Sequence, residues 1–155
     1  MTERFQSRLS RWLLALIAVG NVGLIAELLL LDHTESFNQW IPLVSLALGL
    51  ITTILVWFQP NAATFRVFKL SMLVFVGAGL LGVYLHYAGN VEWAHERDPG
   101  LSGLTLVWKA LKGATPALAP GALAQLGLLG LIFAWSQQFA QRTSITDSDQ
   151  SGKNQ

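Results

Sequence analysis

Four unbroken apolar stretches dominate this chain, and each is long enough to cross a bilayer. A helix needs about 20 apolar residues to span the hydrocarbon core. The stretches run from about Trp12 to Leu31, Ile41 to Phe58, Val67 to Ala88 and Pro116 to Ser136. They are continuous, rich in Leu and Ala, and too long for strands. The expected fold is all-α: a polytopic membrane protein with four transmembrane helices in residues 1–140. Only 12% of the 155 residues are charged, about half the share in a soluble domain. A soluble domain of this size could not hide so much apolar surface; a bilayer can.

The first stretch has the basic start of a signal peptide, with Arg4, Arg8 and Arg11. However, its apolar part is too long, contains Glu27 and lacks a small-residue cleavage site before the acidic turn. It reads as a retained span.

Sidedness follows Lys and Arg near the span ends. Arg4, Arg8 and Arg11, then Arg66 and Lys69, then Arg142 all fall on one side, while residues 32–40 carry neither Lys nor Arg. Arg97, Lys109 and Lys112 in the third connection weaken the bias without reversing it. The expected topology places both termini in the cytoplasm, and the style of the chain suggests a bacterial inner membrane. Trp12, Trp40, Trp57, Trp93, Trp108 and Trp135 mostly fall at span ends, as interfacial anchors do. A net charge of +1 offers no electrostatic case for nucleic acid. The absence of cysteine excludes disulfides, thiolate catalysis and iron–sulfur clusters.

Between the third and fourth spans lies the one extended connection. Asp98-Pro99 suits a helix start, and Leu101, Leu104, Trp108 and Leu111 recur on one face. The spacing predicts a helix over about 99–112, lying in the membrane interface or packed across the helix ends as a lid. A connection of this length is often functional. The polar residues 141–155 are expected to be disordered.

Small residues recur at helical spacing: Ala15, Gly23 and Glu27; Ser45, Gly49 and Thr53; Ala78, Gly82 and His86; Gly127 and Gly130. Such faces let helices approach closely, within the chain or against another subunit. They turn Glu27 and His86 toward protein. Glu27 lies about 7 Å inside its span end, where an ionisable group is costly and a functional candidate. Asn21, near mid-span, is expected to bond a neighbouring helix.

All three histidines, His33, His86 and His95, fall on the outer side with Glu92 and Glu96. Imidazole and carboxylate together suit a divalent metal, and two facing imidazoles could hold a haem. No spacing specifies either group, and no catalytic residue is assigned. Three readings follow. The first is an accessory or structural subunit of a membrane complex, associating with other subunits or with itself, with membrane lipid around it. The second is proton- or cation-coupled transport through Glu27 and the outer His/Glu cluster. The third is metal or haem binding on the outer face.

Overall fold

The computed structural model describes the backbone of residues 3–153 and the side chains of residues 8–137. Among them all regular structure is helical: α1 (Glu3–Leu30), α2 (Phe37–Phe58), α3 (Ala62–Arg97), α4 (Gly103–Leu111) and α5 (Gly121–Lys153). Arg8–Leu30, α2 and α3 are each long and apolar enough to cross a membrane. The apolar part of α5 over Gly121–Gln137 is shorter. The expectation of a disordered tail over 141–155 falls outside the described side chains.

The helix ends have local causes. α1 closes in a double hydrogen bond: Asp32 N donates to Leu29 O and His33 N to Leu28 O, at 3.2 and 3.0 Å. This closure needs a left-handed residue at its turn. Asp32 supplies it at φ +50°, a region that Asp and Asn enter more readily than most residues. α3 opens on Asn61, whose Oδ1 accepts from Ala63 N and Thr64 N, while Thr64 Oγ1 accepts from Asn61 N. These bonds satisfy end groups that the helix itself cannot pair.

α1 packs on α2 and α5, and α3 packs on α2, α4 and α5. The α3–α5 interface is the most extensive. A Cβ on Gly79 would stand 2.5 Å from Ala124 N, and one on Gly127 would stand 2.6 Å from Met72 O. Each helix therefore offers a glycine to the other's backbone. A Cβ on Gly49 would collide with the Phe75 ring, so α2 and α3 meet as closely. Thr52 and Ser71 join the same pair through a 2.8 Å hydroxyl hydrogen bond. By contrast, Gly23 has open space beside it. The inward face of α1 runs through Leu14, Ile17 and Asn21 instead.

The core is concentrated toward the ends of α1 and α5 that carry Ser10 and Gln137, which bond each other. Ile17, Phe68, Met72 and Phe75 are fully buried, and Phe133 sits edge-on to Phe68 at 5.8 Å. Outward faces of the long helices carry Val19, Leu48 and Leu80 in the open, a surface suited to lipid.

α3 differs most from expectation. Its 36 residues give a rod about 54 Å long, nine residues beyond the expected end at Ala88. The helix runs on through Gly89 and Asn90, and the Asn90 side chain is fully employed. Its amide donates to Ala110 O at 2.9 Å and to Thr115 O at 2.6 Å, and its oxygen accepts from Thr115 N at 3.2 Å. Asp98, expected to open the next helix, closes α3 instead, with its N–H on Ala94 O. α4 starts later than expected, after Ser102, at Gly103 with φ +61°, a conformation suited to glycine. Consecutive short turns over Pro116–Leu123 then delay α5 to Gly121. Pro120 cannot donate a backbone hydrogen bond and so suits the lead-in.

Asn90 thus clamps the connection after α4 onto α3. Gly113 is part of the clamp, because any Cβ there would strike the Asn90 amide. Asn90→Ala should cost about 2–3 kcal/mol, since it strands buried peptide groups. Hydrogen exchange should show protection lost first at the Thr115 amide; unchanged exchange there would refute the clamp.

Candidate functional site

Away from the aromatic core, the helices line a partly open cavity of about 530 Å³. α1 lines it with Leu24, Glu27 and Leu28, and α2 with Asn38, Pro42 and Leu46. α3 contributes Ala78, Leu85 and His86, and the clamped connection adds Thr115, Pro116 and Pro120. Its walls are mainly aliphatic, with a few polar groups at one end. That is the usual composition of a small-molecule site, and its size falls in the usual range.

Each polar group has a local cause. His33 follows the left-handed Asp32, so the closing turn of α1 fixes its place in the lining. His86 bonds Pro116 O through Nδ1 at 3.1 Å. A proline carbonyl only accepts, so Nδ1 carries the proton, and Nε2 of the neutral ring is left as an acceptor. Pro42 lies inside α2. It has no N–H to give Asn38 O, so that carbonyl lacks its i+4 helical donor, and Asn38 is itself a lining residue. Gln39 Oε1 is occupied by Ser36 N at 2.9 Å. Glu27 is exposed along the cavity wall and, among the described residues, has no hydrogen bond or ion pair. Its side chain therefore faces open space rather than another helix.

The sequence candidates divide. Glu27, His33 and His86 share the cavity, with the His33 and His86 ring centroids 6.4 Å apart. His95 does not join them: its Nε2 donates to Leu101 O at 3.0 Å, which ties the end of α3 to the following loop. Glu92 and Glu96 are exposed, and neither lines the cavity. Among the described residues, no group of three or more His, Asp or Glu side chains is placed to hold a metal ion. Asn21 is buried but bonds its own helix, Nδ2 to Ile17 O at 2.8 Å, and its Oδ1 has no partner. It points at the Gly49 face of α2, where no N–H is free to meet it. Sequence reasoning missed Pro42 and the employment of Asn90. A proline early in an apolar run was the available signal for the first.

α4 packs on α3 through the buried Ala110, and none of its residues lines the cavity. The Thr115–Pro120 segment does so instead. The apolar face of α4 points outward, with Leu104 87% and Trp108 61% exposed. Arg97 lies over the Trp93 ring at 3.8 Å and Lys112 over the Trp108 ring at 4.6 Å. Two of the three cations that weaken the charge bias are thus held against aromatic faces.

Burial, and then the positive charge of His86 when it ionises, lower the His33 pKa below its usual 6.5. Folding therefore favours neutral His33. Its contribution to stability is complete above pH 6.5 and is lost as pH falls through the folded pKa. An NMR titration should give a His33 midpoint below 6.5 that moves partly back in His86→Gln, because desolvation remains. A midpoint that does not respond to His86→Gln would separate the two rings.

No family model, curated protein or solved structure matches the chain.

Proposed function

We propose that this chain is a four-span membrane protein that binds an apolar small molecule in a cavity in the outer half of the bilayer. The carrying observation is the cavity itself, aliphatic along its walls and with Glu27, His33 and His86 among its polar groups. Below it, Ile17, Met72 and Phe75 are fully buried, which favours a blind pocket over an open path. A transport role would need this site to open inward as well. The accessory-subunit reading drew on small size, little extramembrane bulk and an interfacial helix as well as on small-residue faces. Gly49, Gly79, Gly82, Gly127 and Gly130 meet neighbours within the chain, which leaves that reading less to rest on.

In this proposal the fourth span begins at Gly121, and both termini are cytoplasmic in a bacterial inner membrane. α4 lies in the outer interface with Leu104 and Trp108 toward lipid. The lack of a basic residue in 32–40 supports this sidedness. α4's outward apolar face, with Lys112 over Trp108, supports its place in an interface.

Because the chain lacks cysteine, any introduced one is a unique label. In sealed vesicles, an impermeant maleimide applied outside should label Glu35→Cys and Glu96→Cys but not Asn61→Cys. Labelling of all three, or of Asn61→Cys alone, would refute the topology. For the cavity, native mass spectrometry from mild detergent should find a bound apolar molecule on the wild-type chain. Ala78→Phe, which fills the space, should lack it. Equal occupancy in both proteins would sink the binding site.

A further inference from the structure

The unmatched polar groups of the cavity indicate what its ligand presents to them. Three are acceptors. Glu27 has no partner among the described residues. His86 has committed its Nδ1 proton to Pro116 O, which leaves Nε2. Asn38 O has lost its helical donor to Pro42. The donors on the lining are neutral ones, such as the Gln39 amide, whose oxygen is held by Ser36 N. No Lys or Arg lines the cavity, so the Glu27 carboxylate has no counter-ion there. A carboxylate beside an aliphatic wall gains more from a cation than one in open water, because screening is weaker.

The kind of cation can be narrowed. Quaternary ammonium groups are usually held by aromatic faces. The cavity lining contains no Phe, Tyr or Trp. Its cation-binding means are hydrogen-bond acceptors, which need N–H groups to act on.

We infer that the cavity takes a lipophilic primary or secondary amine: an aliphatic body along the Leu-lined walls and an N–H-bearing ammonium head at Glu27. The inference rests on the binding-cavity reading and narrows it to one head-group class. His86 Nε2 and Asn38 O are the further acceptors for the head. Glu27 supplies the charge.

Four probes of equal tail length test this: decylammonium, decyltrimethylammonium, decanol and decanoate. Each is titrated against the purified full chain in mild detergent, with Tm as the readout. Decylammonium should raise Tm saturably. Decyltrimethylammonium and decanol should bind at least tenfold more weakly, a difference of about 1.4 kcal/mol, and decanoate should not bind. Glu27→Gln should lose the preference for decylammonium and Glu27→Asp should retain part of it. Both should keep the unliganded Tm, because Glu27 is exposed and supports no contact. Equal shifts from all four probes that vanish in Ala78→Phe would overturn the amine inference and leave the cavity reading standing. A trimethylammonium response equal to that of decylammonium would overturn the requirement for N–H. Shifts that persist in Ala78→Phe, or no shift from any probe, would overturn both.

Discussion

Helices in hydrocarbon gain little by hiding apolar surface from one another, so close packing must hold them together. In this chain the packing centres on α3 and α5. Gly79 lies against the backbone of Ala124, and Gly127 against the carbonyl of Met72. The exchange is reciprocal, which brings the two rods near along more than one turn. A methyl group at either glycine would push them apart. α2 reaches α3 by the same device, with Gly49 under the Phe75 ring, and Thr52 and Ser71 add one polar tie. α3 therefore carries α2, α4 and α5, while α1 is held by α2 and α5.

The packing is uneven, and the unevenness creates the site. Toward the Ser10–Gln137 end, large rings fill the space: Phe68 and Phe133 meet edge to face, and Phe65 stacks on Phe133 at 6.1 Å. Toward the opposite end, Leu, Ala, Gly and Pro line the helices, and a cavity remains. The looser packing is confined to one end of a fold whose other end is densely filled. Asn90 keeps the hollow end from drifting, since it fastens Ala110 and Thr115 to α3. The Pro116 and Pro120 wall of the cavity follows that fastening.

The long apolar stretches were legible because lipid demands continuous hydrophobicity, a demand met residue by residue along the chain. What eluded sequence reasoning depends on distant partners. The apolar run ends near Ala88, but the helix continues to Arg97, and Asn90 bonds groups 20 and 25 residues away. Asp98-Pro99 has the chemistry of a helix start, yet Asp98 caps the end of α3 and α4 waits until Gly103. Spacing grouped His95 with Glu92 and Glu96, while the fold ties its ring to Leu101 O. Spacing also turned Gly23 and Glu27 inward, whereas α1 buries Ile17 and Asn21. In an all-apolar helix, periodicity says little about which face is inside. The outer gathering of Glu27, His33 and His86 was legible only as a shared depth. Their convergence on one cavity needed the closing turn of α1 and the Pro116 contact, and neither has a signature in composition.

The polar groups at the cavity end divide by what the fold asks of them. The Asn90 amide, the Thr115 backbone, the Gln39 oxygen and the Nδ1 proton of His86 are all spent on holding chain to chain. Buried polar groups in a folded protein ordinarily end this way. Glu27, His86 Nε2 and Asn38 O do not. Packing alone does not explain them: an apolar residue at position 27 would suit lipid better, and a residue other than proline at 42 would close the α2 hydrogen-bond ladder. A proline and a carboxylate that each leave an acceptor open, on the same cavity, act in the same direction. Each leaves an acceptor for a group that brings a donor, and neither open acceptor helps to keep the helices together.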